Sequence, residues 1–149
     1  MKIDLSGTTA LVTGSTGIGH AIAKGLAATG AKVIVNGRTQ SKVDEAVAVL
    51  KKAVSGAEVE GVAADVSTAE GCAALVKAMP SVDILINNTG IFEPKEFFDI
   101  PDEDWQRFFN VNVMSGIRLS RAYMPAMLKR NWGRIIFIAS ESAIMIPKE

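Results

Sequence analysis

The chain is 149 residues long, 48% hydrophobic and 21% charged, with 16 basic residues balancing 16 acidic ones and a single cysteine, Cys72. A net charge of zero supplies no bulk attraction for nucleic acid or an anionic membrane, and one cysteine excludes an internal disulfide and argues against a cysteine-based zinc site. The longest apolar runs, such as residues 135–139, fall far below the ~20 residues of a spanning helix, and the opening Met1-Lys2-Ile3-Asp4 lacks the apolar stretch of a signal peptide. A soluble, cytoplasmic protein with no metal, no membrane and no nucleic-acid partner is expected.

In chain order, short apolar runs alternate with segments of helical periodicity. Strands are predicted at 9–13, 32–36, 59–64, 83–87 and 134–139, each continuously apolar as suits strands covered on both faces. Between them, Val43, Ala46, Val47, Leu50 and Val54 repeat at the spacing of a helix with one buried stripe, as do Ala69, Cys72, Ala73, Val76 and Met79. A longer helix over 102–129 puts Trp105, Phe108, Phe109, Val113 and Gly116 on one side, with Asp102 or its neighbour as cap directly after Pro101. With right-handed crossovers, this β-α alternation builds an α/β, doubly wound parallel sheet of three layers, Rossmann-type, ending after the fifth strand. Residues 1–149 are expected to form one domain.

Thr13-Gly14-Ser15-Thr16-Gly17-Ile18-Gly19 joins the first strand to the first helix. Glycines allow a tight turn and close backbone approach, and the free N–H groups of a helix start face an anion such as a diphosphate. Gly19 would let that helix sit close to the sheet. Any βα turn can use glycine. This one follows an apolar strand, opens a helix and stands at the front of repeated βα units, which is the context a dinucleotide site requires.

Four segments in order resemble the short-chain dehydrogenase/reductase family over the whole chain. The 13–19 run is similar to its Thr-Gly-x-x-x-Gly-x-Gly turn, and Asn87-Asn88-Thr89-Gly90 to its Asn-Asn-Ala-Gly, with Thr89 in place of alanine. Asn112, in Phe109-Asn110-Val111-Asn112-Val113, stands where the family has a helix asparagine, and Gly133-Arg134-Ile135-Ile136-Phe137-Ile138-Ala139-Ser140 resembles the strand that leads to the catalytic serine.

The resemblance implies a dinucleotide-binding domain whose diphosphate lies against Thr13, Gly14, Ser15, Thr16, Gly17, Ile18 and Gly19. It implies an adenine contact at Asp65 with Val66 beside it; on its own terms Asp65 is equally a cap on the next helix. Asn88, Thr89 and Gly90 would run beneath the adenosine ribose, although a strand-ending turn held by asparagine side chains accounts for them too. At the end of the second strand no carboxylate precedes Asp44, and Arg38 is suited to a bidentate grip on a 2′-phosphate, so NADP is expected over NAD. A solvated surface arginine is the plainer alternative. Asn112 shares a helical stripe with Phe108 and Phe109, so its amide is expected to point inward and find backbone or an internal water; the resemblance makes that water part of a proton relay. Ser140 would polarise the substrate carbonyl or alcohol, with Ser142 as the fallback.

The family's proton donor is a tyrosine followed four residues later by lysine. Tyr123, the only tyrosine, has Met127 at that position and is read as packing or interface, and His20 as helix surface. The chain is therefore expected to be the cofactor-binding portion of a longer NADP(H)-dependent oxidoreductase, homo-oligomeric and inactive alone. The alternative is a complete, non-catalytic nucleotide-binding or interaction module.

Overall fold

The computed structural model describes residues 3–145. The chain runs β1 (Thr9–Thr13), α1 (Gly17–Ala28), β2 (Lys32–Gly37), α2 (Gln40–Ala53), β3 (Val59–Ala63), α3 (Ala69–Ala78), β4 (Ile84–Asn87), α4 (Asp102–Phe109), α5 (Ser115–Lys129) and β5 (Arg134–Phe137). Among the described residues these strands form one parallel sheet of order β3-β2-β1-β4-β5. The chain winds outward from β1 to β3, then returns to the other side of β1 for β4 and β5. The loops leaving β1 and β4 therefore diverge to opposite sides, and in such sheets this switch point opens a crevice at the carboxyl ends of the strands.

Alternate strand residues enter two cores. Ala10, Val12, Val33, Val35, Ile84 and Ile86 pack against Ala23 and Ala27 of α1 and Ala46 and Leu50 of α2. Leu11, Ile34 and Leu85 face the other way, against Cys72 and Leu75 of α3 and Leu119, Tyr123 and Met127 of α5. This is the three-layer α/β arrangement expected. Each fully buried leucine or isoleucine in it is worth roughly 1.5–3 kcal/mol of transfer free energy.

The edges of the sheet depart from the expectation that all strands are covered. On β3, Glu60 is exposed and pairs with Lys32 at 2.7 Å. On β5, Ile136, Phe137 and the following Ile138 are 44%, 51% and 39% exposed, since among the described residues β5 has β4 as its one neighbouring strand. Strand ends shift accordingly. The last ladder bond runs from Ile138 N–H to Asn87 O, so β5 stops at Phe137 and not at 139. β3 stops at Ala63, before Asp65, while β2 runs one residue further, to Gly37.

The predicted 102–129 helix is also interrupted. Residues Asn110–Met114 form a π turn between α4 and α5, in which the Ser115 N–H bonds to Asn110 O, and the Val111 carbonyl accepts instead from Ser115 Oγ at 2.6 Å. Pro101 occupies the cap position of α4, and Asp102, Glu103 and Asp104 line its first turn, where negative charge suits the helix dipole; Asp102 makes no side-chain cap bond.

Candidate functional site

The glycine loop sits at the switch point. Its Gly14 N–H bonds to Asn36 O at 3.0 Å, and Gly14 and Gly17 adopt φ of +84° and +54°, a region that side chains disfavour. Thr16 caps α1 without a side-chain bond, and no acidic residue lies in the first turn, so the start of α1 keeps its free N–H groups and its positive potential. A Cβ on Gly19 would stand 2.1 Å from Gly14 O and 2.5 Å from Asn88 Nδ2, so the helix start packs directly on the loop. Ser15 is buried, and Ile18 is 63% exposed at the mouth. Two residues, Ser15 and Thr16, separate Gly14 from Gly17, one fewer than in the Thr-Gly-x-x-x-Gly-x-Gly turn the loop resembles.

Thr13 acts as a clamp. Its hydroxyl donates to Ile86 O at 3.3 Å and accepts from the N–H groups of Asn88 and Thr89, both at 3.0 Å, while Asn88 Nδ2 donates to Thr13 O at 2.9 Å. The 88–90 segment is thereby fixed beside the glycine loop. Its far end is fixed by Asn112, whose Oδ1 accepts from Ile91 N–H at 2.7 Å and whose Nδ2 donates to Ile91 O at 3.0 Å. Asn112 is exposed, contrary to the inward amide expected, because the π turn aims it at this backbone. Gly90 is close to it: a Cβ there would lie 3.3 Å from Asn112 Oδ1.

At the tip of β2, Asn36 is buried and donates to Val62 O and Ala64 O, both at 3.1 Å, locking β2 to the end of β3. Arg38 follows, exposed, and α2 begins with Thr39 at its cap and no acid in its first turn. Asp44, the first carboxylate onward, is engaged by Gln40 Nε2 at 2.7 Å.

After β3, Asp65 opens a closed turn. Its Oδ1 accepts from Ser67 N–H at 3.0 Å, and its carbonyl accepts from Thr68 N–H at 3.2 Å and Thr68 Oγ1 at 3.1 Å. The side-chain cap of α3 is Thr68, whose Oγ1 accepts from Gly71 N–H at 2.9 Å, so the Asp65 carboxylate shapes the turn before the helix instead of capping it. Val66 is 2% exposed, and its carbonyl accepts from the Cys72 thiol at 3.2 Å. Burial pushes that thiol's pKa up.

Ser140 lies three residues beyond β5, which ends at Phe137 and not at 139. Its Oγ accepts from Ser142 N–H at 3.1 Å, capping the 3-10 turn Glu141–Ala143, and donates to Ser142 Oγ at 3.0 Å. The Ile138–Asn87 bond sets β5 in register with β4, so the segment bearing Ser140 leaves the sheet beside the one bearing 88–90.

Tyr123 is 1% exposed and donates to Met79 O at 2.9 Å; burial first, and then the nearby Cys72, push its pKa up to about 12. It belongs to the core, the packing alternative of the two, packing or interface, that the sequence left open. Sequence reasoning missed Arg118, which reaches from α5 to Ser67 O, and Ile91, the backbone partner of Asn112. An arginine one position before the buried Leu119 was the available signal for the first; a backbone partner leaves none. A groove of about 500 Å³, lined in part by Gly7, Thr8, Gly30, Lys32 and Glu58, lies at the amino ends of the strands, away from all these loops.

A family model described as short chain dehydrogenase matches residues 8–148. An uncharacterized oxidoreductase of Bacillus subtilis, YvaG, is 56% identical over 150 residues, covering 100% of this chain and 57% of that protein. The D-beta-hydroxybutyrate dehydrogenase of Cupriavidus necator is 40% identical, over 95% of this chain and 56% of its own length. Among solved structures, the L-sorbose reductase of Gluconobacter frateurii complexed with NADPH and L-sorbose superposes with a TM-score of 0.91 at 38% identity, over 97% of this chain and 57% of that one. The chain thus spans little more than half the length of these relatives.

Proposed function

The chain belongs to the short chain dehydrogenase family, and on that premise we propose that it forms the dinucleotide-binding domain of a longer NADP(H)-dependent oxidoreductase acting on a carbonyl/alcohol pair. Bound there, the nicotinamide supplies or accepts the hydride. The residues present fit such a cofactor: an acid-free helix start with free N–H groups at Gly17, Ile18 and Gly19 suits a diphosphate. In this reading Asp65 and Val66 receive the adenine, and 88–90 runs beneath the ribose. Asn112 holds the end of that segment by its grip on Ile91. Ser140 turns its hydroxyl from Ser142 to the substrate oxygen, donating a hydrogen bond where negative charge develops.

The choice of NADP is carried by one observation. At the tip of β2 an exposed Arg38 stands where no carboxylate faces it from the first turn of α2. A guanidinium there favours a 2′-phosphate, and the carboxylate that would bind a 2′-hydroxyl is missing. The reductase of Gluconobacter frateurii was solved with NADPH, and a metagenomic short-chain oxidoreductase of 34% identity with NADP. Fluorescence titration with NADPH and NADH tests the reading. NADPH should bind at least tenfold more tightly, and Arg38→Ala should weaken NADPH by about tenfold or more while leaving NADH nearly unchanged, the usual worth of one charge-assisted pair. Equal affinities in the wild type would refute the NADP preference, and no binding of either would refute the dinucleotide site.

A second reading, binding without chemistry, is favoured by the burial of Tyr123, the chain's only tyrosine, which leaves none to serve Ser140. No consumption of NADPH is expected when this chain alone is mixed with ketones and ketoses.

A further inference from the structure

We propose that Arg118 is a positioning residue for the adenine end of the cofactor, acting through Ser67 on the Asp65 carboxylate. The inference rests on the dinucleotide reading above and deepens it at one corner of that site.

The 65–68 turn has three successive carbonyls, and each has a donor. Asp65 O takes Thr68 N–H and Oγ1 from within the turn, Val66 O takes the Cys72 thiol, and Ser67 O takes Arg118 Nη1 at 3.1 Å. A thiol is a weak donor, and the Thr68 bonds are internal to the turn. Arg118 is therefore the strong tie between this turn and the helix layer behind the sheet. The same Ser67 donates its N–H to Asp65 Oδ1 at 3.0 Å. Ser67 is thus held by its carbonyl and itself holds the carboxylate, leaving Asp65 Oδ2 to accept from a ligand.

The guanidinium is anchored in turn by Asn110, whose Oδ1 accepts from Arg118 Nη2 at 3.2 Å. Asn110 opens the π turn that also carries Asn112. A part-buried cation adjoining an apolar stripe is a costly choice for packing alone, since a hydrophobic residue of similar volume serves stability as well or better. Two divergent acceptors, one a backbone carbonyl and one an amide, suit a planar fork and not a point charge. The arrangement fits a residue kept to hold a loop in place.

The test compares NADPH with its deamino analogue, in which hypoxanthine replaces adenine and the exocyclic amino donor becomes a carbonyl acceptor. The wild-type chain should prefer NADPH by about tenfold, the worth of one hydrogen bond to a charged acceptor. Arg118→Met should bring that preference to within about twofold while its far-UV circular dichroism stays native, and Arg118→Lys should recover part of it. Asn110→Ala, which removes only the second anchor, should shift the ratio in the same direction by less, and it decides the matter if Arg118→Met does not fold. A structural role alone would weaken both nucleotides equally and leave the ratio untouched; that result in both variants overturns the proposal. NADPH binding in the wild type without any preference for adenine overturns the assignment of the 65–68 turn but spares the dinucleotide reading. No binding of either nucleotide overturns both.

Discussion

Tyr123 shows how a single side chain can be assigned by what it lacks. Its hydroxyl has one partner, Met79 O, and no lysine within a turn that would draw its pKa down; burial drives it the other way, to about 12. The folded state thus favours the neutral phenol. That contribution to stability is present below about pH 10, the ordinary tyrosine value, and is lost as pH rises from 10 through 12. Tyr123→Phe should cost about 1 kcal/mol at neutral pH by stripping Met79 O of its donor, read by urea denaturation, and should flatten the alkaline limb of the stability profile. A profile unchanged above pH 10 would show that another group governs it. Residues with local roles are legible in the sequence: Gly14, Gly17 and Gly19 declare a backbone conformation, and Asn88 a strand-ending turn. Arg118 and the true partner of Asn112 are not, because their bonds join positions 51 and 21 residues apart.

The elements were legible in kind and blurred at their ends. Continuous apolar runs placed all five strands, and helical spacing placed the helices after β2, β3 and β4, since both signals are properties of a segment by itself. The apolar run could not place the end of β5, which depends on where its neighbour β4 stops, and so carried the strand on to 139, next to Ser140, whereas it stops at Phe137. The end of α5 falls at Lys129, where the sequence placed it. There the Trp132 N–H bonds to Met127 O and the Asn131 N–H to Leu128 O, with Asn131 at φ +55°, a helix stop that usually employs glycine. Asparagine tolerates this backbone better than other side chains do. Asn131→Ala should therefore lower stability by about 1 kcal/mol, and Asn131→Gly should not; a thermal melt of the three proteins decides it.

Across the whole molecule, alternation of strand and helix announced a doubly wound sheet, while the order β3-β2-β1-β4-β5 depends on pairings between distant segments that no local pattern encodes. The two ends of that sheet are unequal. β3 bears Glu60, paired with Lys32 of β2, whereas β5 and the residue after it present Ile136, Phe137 and Ile138 at the other end of the sheet among the described residues. Phe97, Phe98 and Trp105, at 69%, 96% and 53% exposed, add a second apolar region. Surfaces of this kind drive association, so this chain in isolation should self-associate with rising concentration and bind a hydrophobic dye; a monodisperse monomer in sedimentation would count against this. The π turn has a consequence at the same scale. On one unbroken α-helix, Trp105, Phe109, Val113, Leu119, Tyr123 and Met127 would lie along one side, yet the first three are 53%, 49% and 39% exposed and the last three lie in the core. An additional residue in one turn rotates everything after it by about 100°, splitting the seam between two directions. Deletion of Val111 would bring the two halves back into phase, drag Asn112 away from Ile91 and trade a two-sided helix for a one-sided one.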